Sequence, residues 1–180
     1  MKFIDLVSQR QSDRAFDAGR LVEKEKIERI LEAAHLAPSA CNAQPWHFIV
    51  VDDPEIKNKV ADATSTKILG LNHFTKQAPV HIIIVEEEVN FSSGFGGFVK
   101  DIHYAHIDIG IAAAHIILAA ESEGLGSCIL GWFNQNKIKK LLNIPAKRKV
   151  ALDIIIGYSK QEKREKKRKS FNEIVSYNKY

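Results

Sequence analysis

Ala37-Pro38-Ser39-Ala40-Cys41-Asn42-Ala43-Gln44-Pro45-Trp46-His47-Phe48 joins an amphipathic helix to a strand through small polar residues set between two prolines. Pro38 disfavours helix at Ala37, so the preceding helix has to stop there. Ser39, Asn42 and Gln44 supply hydrogen-bonding groups with little bulk, which is what a loop needs to lie flat against a polar, planar ligand. Trp46 and Phe48 read as core rather than as ligand contacts. Cys41 has no motif that pairs it with a base, and is expected as a small buried filler rather than a nucleophile.

Upstream of this loop, Ile27, Ile30, Leu31 and Ala34 follow the helical i, i+3, i+4, i+7 spacing and predict a helix over 23–35. A first helix is expected over 3–9, with Phe3, Leu6 and Val7 on its buried side. Downstream, 47–51 reads as a short strand, and Asp52-Asp53 ahead of Pro54 opens a helix over 54–63. The β-branched run 80–86 after Pro79 predicts a buried strand. A long helix over about 100–123 ends at Gly124 and Gly126. Its stretch 107–120 is apolar nearly all round, so protein must cover both sides, which in so small a chain points to a subunit interface. Strands over 127–132 and 150–157 flank a short helix carrying Ile138, Leu141 and Leu142. The elements lack a strict βαβ rhythm, and no Gly-x-Gly-x-x-Gly follows a strand. An α+β sandwich is therefore expected over a doubly wound sheet, without a Rossmann dinucleotide site.

With 180 residues and 45% hydrophobic content, one globular domain over 1–180 is expected. Residues 160–180 form a mostly polar C-terminal extension. Two cysteines are too few for a disulfide scaffold. The start meets Asp5 before any apolar run, and 107–120 is short and carries Asp108 and His115; neither a secretory signal nor a membrane segment is expected, and the cytoplasm is the expected compartment. The net charge of +4 has one address, the run Lys163-Arg164-Glu165-Lys166-Lys167-Arg168-Lys169, since the rest of the chain is close to neutral.

Two guanidinium groups around a hydroxyl, at Arg10, Ser12 and Arg14, suit a phosphate monoester; a solvated turn with arginines paired to acids is the plainer reading. The basic run is a solvated tail, a phosphate site or a nucleic-acid contact. The last would want a wider basic face with interleaved aromatics, so no nucleic-acid partner is expected. His103 and His106 stand three apart on a helix, but a third ligand at suitable spacing is missing, and no metal is expected. Gly124, Gly126 and Gly131 around a short strand either cap a helix or let something approach the backbone closely.

Taken in order, Arg10-x-Ser12-x-Arg14, the 38–48 signature, Gly124-Leu125-Gly126-Ser127-Cys128-x-x-Gly131-x-Phe133, Ile156-Gly157-Tyr158 and Lys166-x-Arg168-Lys169 resemble the FMN-dependent nitroreductase family across nearly the whole chain. The resemblance implies an α+β fold, a central antiparallel-containing sheet flanked by helices, in an intertwined homodimer with FMN at the subunit interface. Residues 160–180 would pack on the partner subunit. It implies that Arg10, Ser12 and Arg14, with Lys166 and Arg168, surround the FMN phosphate and ribityl chain, Gln11 contributing through its backbone. Pro38, Ser39, Ala40 and Asn42 of the other subunit would line the flavin. The Leu130-Gly131 backbone would lie near flavin N5, with Asn72 at the pyrimidine end. Phe91 and Phe95, in the Gly-rich loop 90–97, are expected as a substrate lid.

The implied activity is hydride transfer from NADH or NADPH through flavin N5 to a nitroaromatic, quinone or similar small electron acceptor, by ping-pong kinetics. No catalytic acid or base is expected, because the cofactor carries the chemistry. Alternatives are the same fold with other chemistry, such as reductive dehalogenation or flavin fragmentation, or a basic-tailed binding protein without flavin. Two positions depart from the family pattern. Asp13 stands between two phosphate ligands and is expected to face away and pair with a base. Gln11 stands where a basic residue is frequent, so one cation is missing.

Overall fold

The computed structural model describes residues 2–65, 71–88 and 103–180. Among them are four strands, β1 Trp46–Val51, β2 Val80–Glu86, β3 Gly126–Leu130 and β4 Lys149–Gly157. They form one sheet in the order β1-β2-β4-β3, and every neighbouring pair is antiparallel. The helices are α1 Phe3–Gln9, α2 Lys24–His35, α3 Pro54–Thr64, α4 Tyr104–Ser122, α5 Gln135–Leu141 and α6 Phe171–Ile174, with 3-10 turns at Ala40–Asn42 and His73–Gln77. The expected α+β architecture is therefore the observed one.

The central strands β2 and β4 carry Ile82-Ile83-Ile84 and Ile154-Ile155-Ile156, all fully buried. Successive side chains on a strand point to opposite faces, so an unbroken apolar run requires cover on both. On one face α2 and α4 supply it: Ile27, Ile30, Ile109, Ala113 and Ile116 pack with Ile82, Ile84 and Ile154. On the other, Val60 and Ala63 of α3 and Ile138 of α5 pack against Ile83, Val85 and Val150. Trp46 and Phe48 stack with centroids 6.2 Å apart and lean on the first of these clusters, as expected of core residues. One polar pair lies inside: His81 Nδ1 and Asp153 Oδ2 are 2.9 Å apart, both side chains fully buried.

Local chemistry explains where the helices begin and end. Asp53 accepts the backbone N–H groups of Glu55 and Ile56, two donors that the first turn of α3 leaves without helical partners, and Pro54 at the first position has no N–H to lose. Gly124 takes φ 73° just past α4, a left-handed turn that lets the Leu125 N–H reach back to the Ala120 carbonyl.

Helix α4 is long and apolar enough to cross a membrane by length and composition alone. Here Ile109, Ala112, Ala113, Ile116 and Ala120 are built into the core, together with Asp108. Its other side is less covered: Ile107 is 53% exposed. Ile111, Ala114 and Leu118 line an apolar cleft of about 380 Å³ shared with Phe3, Leu6 and Ala33. The expectation that Phe3 is buried fails within the chain, where it is 69% exposed while Leu6 and Val7 are half-buried. The reason is that α1 lies at the rim of this cleft rather than beneath another element.

Two glycines bring the chain's first residues onto the sheet. Gly126 and Gly157 pair across β3 and β4. A Cβ at Gly126 would stand 2.7 Å from Asp13 Oδ2, and one at Gly157 would stand 2.6 Å from Pro79 Cδ and 3.1 Å from Phe16. Residues 12–16 can cross the sheet's end only because both positions lack side chains. Bridges Ser12↔Ser127 and Phe16↔Ser159 record that crossing.

Candidate functional site

A polar cleft of about 420 Å³ opens where this N-terminal segment meets the C-terminal tail. It is lined by Arg10, Gln11, Ser12 and Arg14 on one side and by residues 164–168 on the other. Lys166 and Arg168, expected to join Arg10, Ser12 and Arg14 at one anion, are thus brought to the same cleft from more than 150 residues away. Arg164 also lines it and was not anticipated as a ligand. Its Nη2 donates to the Ser12 carbonyl at 2.9 Å. Nothing in a run of lysines and arginines tells which side chains turn inward.

The cleft is crowded with like charge. The Lys166 ammonium is held below the ordinary lysine value, first by desolvation and then by Arg10 and Arg168 nearby. Its Nζ also donates to the Val7 carbonyl at 2.6 Å. Glu165 is the acid among the lining residues. Such a cluster is built for a multiply charged anion with several acceptor oxygens.

Asp13 does not line the cleft. It is fully buried and faces the sheet's end, where Oδ1 accepts from Gln11 Nε2 at 2.9 Å and from Ser159 Oγ at 2.7 Å. The expectation that it faces away from the anion holds, but its partners are neutral donors rather than a base. The amide of Gln11 is likewise occupied by the protein. Cys128 is buried on β3, where burial pushes its thiol up, away from thiolate character, partly offset by Arg14.

Beyond the cleft, β3 ends at Leu130, and Gly131 is exposed with no atom within 4 Å of where a Cβ would stand. That leaves the Leu130-Gly131 backbone open to close approach. Asn72, at φ 58°, donates through Nδ2 to the Thr64 carbonyl at 3.1 Å and to the Trp132 carbonyl at 3.3 Å. It is therefore fastened beside the chain leaving Gly131, with its side-chain donor spent on backbone. Phe91 and Phe95 lie outside the described residues.

The loop expected to line a ligand, Pro38, Ser39, Ala40 and Asn42, does not contribute to this cleft. Its backbone is strained: Cys41, Asn42 and Gln44 all have positive φ, of 52°, 52° and 47°. Ser39 Oγ accepts the Gln44 N–H at 3.0 Å, and Gln44 Nε2 donates to Asn42 Oδ1 at 3.1 Å. The Ala40 N–H donates to both oxygens of buried Asp108, at 3.1 and 3.2 Å. Asp108 was not anticipated as the anchor, although a lone carboxylate in an apolar helix is itself a signal that a partner must exist. Cys41 is exposed, not the buried filler expected, because the left-handed turn lifts it off the core. His103 and His106 stack at 5.4 Å, and His106 Nε2 lies 3.4 Å from Glu86. Among the described residues no cluster of metal-binding side chains occurs.

The chain is 32% identical over 164 residues to an Archaeoglobus fulgidus protein with a provisional NADH dehydrogenase/NAD(P)H nitroreductase name, covering 89% of this chain and 87% of that one. It is 28% identical to iodotyrosine deiodinase 1 of Sus scrofa, covering 89% of this chain but 62% of the deiodinase. Among solved structures, an FMN-dependent nitroreductase from Clostridium difficile superimposes with a TM-score of 0.79 at 32% identity, covering 98% of this chain and 99% of that one. The model of the nitroreductase family matches residues 7–69 and 66–158, from the cationic turn through β4, and the chain belongs to that family.

Proposed function

We propose that the chain is an FMN-dependent NAD(P)H oxidoreductase acting on small electron acceptors, and that it works as a homodimer. The observation that carries this reading is the cleft where Arg10, Ser12 and Arg14 face Lys166 and Arg168. These residues fit the phosphate of FMN: a nearly dianionic group placed among guanidinium and ammonium groups gains charge-assisted bonds and relieves their mutual repulsion. Ser12 would add a hydroxyl, and Gln11 a backbone group. The open Leu130-Gly131 backbone would hold the ring system through main-chain groups, and Asn72 would stand at its pyrimidine end. When bound, FMN would supply hydride transfer between NADH or NADPH and the acceptor.

The remaining wall would come from a second copy. Pro38, Ser39, Ala40 and Asn42 are displayed on a strained, exposed loop, which supports a role against something outside the chain. The apolar cleft beside α4, with Phe3 and Ile111, supplies a surface a second copy could cover. Within the single domain 1–180, residues 159–166 are tied to the chain's own N-terminal segment. The part left to reach a partner is the end carrying Phe171, Ile174 and Tyr177, all exposed.

No side chain in the cleft is arranged as an acid–base pair, so the protein's work is binding, orientation and charge compensation. The kinetic expectation is ping-pong, with oxidised nicotinamide leaving before a nitroaromatic or quinone enters. Purified protein should be yellow and should bleach anaerobically with NADH or NADPH, recovering on addition of menadione. Protein that is colourless and stays so after incubation with FMN would sink the reading. Similarity to iodotyrosine deiodinase supports a second reading, reductive dehalogenation on the same scaffold. Release of iodide from 3-iodotyrosine by the reduced protein distinguishes the two.

A further inference from the structure

We infer that Gln11 and Asp13 are positioning residues: they set the affinity for the phosphate end of the cofactor by fixing the tail that carries Lys166 and Arg168. The inference rests on the FMN reading proposed above. Long side chains of the tail reach the body, Lys163 to the Gln9 carbonyl and Glu121, Arg164 to the Ser12 carbonyl and Lys166 to the Val7 carbonyl, but past Lys160 its backbone has few fixed partners. Between Gly157 and Phe171 the chain has no helix or strand, only the single bridge at Ser159. Long cationic side chains on an unstructured segment, facing more cations at Arg10 and Arg14, would be driven apart by their own charge.

Gln11 counters this with a neutral side chain that pairs like a short piece of strand. Its Nε2 donates to the Glu162 carbonyl at 3.1 Å, and its Oε1 accepts the Arg164 N–H at 3.1 Å. Gln11 is 7% exposed, and both bonds are at least partly shielded from water. Asp13 fixes the amide in turn, because its Oδ1 accepts the other Nε2 hydrogen and also the Ser159 hydroxyl. Ser159 Oγ accepts the Gln161 N–H at 3.1 Å, and Gln161 Oε1 accepts the Arg14 N–H at 2.9 Å. The circuit therefore closes on a phosphate-facing arginine. Asp13 is seated by its own N–H to the Ser127 carbonyl and by the missing side chain at Gly126. A cation at position 11 would add one charge to the cleft but could not accept the Arg164 N–H. Gln11 thus gives the cleft a fixed tail rather than a further charge, and a fixed tail spares the ligand the cost of ordering it.

The test is titration of FMN and of riboflavin, which lacks the phosphate, into flavin-free full-length protein, followed by quenching of flavin fluorescence. Gln11→Leu and Asp13→Ala should each weaken FMN by roughly tenfold while leaving riboflavin within about twofold. Asp13→Asn keeps the Oδ1 acceptor and should hold FMN affinity within about threefold. Equal losses for both flavins, or unchanged FMN affinity in Gln11→Leu, would overturn the positioning role. Should Gln11→Leu not fold, Ser159→Ala at the exposed end of the circuit should lower the FMN-to-riboflavin ratio by about threefold, and an unchanged ratio overturns the inference. Wild-type protein that binds neither flavin would instead overturn the FMN reading itself.

Discussion

The cationic cleft and the loop at Pro38 to Gln44 are both proposed to face the cofactor, yet the chain treats them in opposite ways. The cleft is built from the two ends of the chain and saturated with internal bonds: Gln11, Asp13, Ser159 and Gln161 each hold a partner across it. The loop is anchored at one buried point, Asp108 to the Ala40 N–H, and beyond that shows Cys41, Asn42 and Gln44 to solvent in left-handed backbone. A site that must neutralise concentrated charge needs fixed cations. On the proposed reading, a loop that meets a flat ring from a second copy needs small groups held in one shape and otherwise left free.

The largest effect that could break this contrast is on the cleft. Lys166→Ala combined with Arg168→Ala should weaken FMN by about a hundredfold and leave riboflavin nearly unchanged, since charge-assisted bonds carry roughly 1.5–3 kcal/mol each. Loss of both flavins alike in fluorescence titration would show that the cleft is not specialised for phosphate. Next, Asp108→Ala should lower stability by about 2 kcal/mol, read as a shifted urea midpoint, because it leaves the half-buried Ala40 N–H without its acceptor. If the midpoint does not move, the loop is not anchored where the geometry puts the anchor.

A smaller effect is expected at Asn42. Asn42→Leu should lower flavin occupancy by about fivefold without changing the elution volume or the thermal midpoint. Full occupancy in that variant would remove the loop from the site. The smallest effect lies away from both regions. The Arg29 hydrogen bonds hold the Glu123 carboxyl below its ordinary value of 4.5. A depressed carboxyl contributes stability above that ordinary value and loses it as pH falls through the folded-state value. Arg29→Ala should therefore flatten the acid limb of urea midpoints below about pH 5, and flavin affinity should not respond.

How much of this could be read from residues alone depends on the range of the interaction. The helix at Ile27, Ile30 and Ala34, the cap at Asp53 and the strand at Val80 are local or periodic, and their positions agree with the structure to within a residue or two. The grouping of Arg10, Ser12 and Arg14 with Lys166 and Arg168 followed from the family pattern, and the chain does bring them together. What spacing could not convey was the use of neutral groups between distant segments. Gln11 looked like a missing cation and is a clasp; Asp13 looked in need of a base, yet its Oδ1 takes an amide and a hydroxyl while its buried Oδ2 has no hydrogen-bond partner. Cys41 looked like filler because small residues usually are, but a run of positive φ reverses the side on which it emerges. Phe3 fits its helix pattern, yet a stripe that awaits a second surface cannot be told by periodicity from one already covered.

The clasp between residues 9–14 and 159–166 also sets an order of events during synthesis. Both faces of the sheet can pack once β4 has emerged, because the two large clusters need nothing beyond Ile156 apart from the partly buried Tyr158. The cleft cannot close until the segment through Arg168 has left the ribosome and returned to the other end of the polypeptide. Core assembly therefore precedes closure of the cleft in time, and a nascent chain interrupted near residue 158 would present a nearly finished fold with half of the cationic cleft.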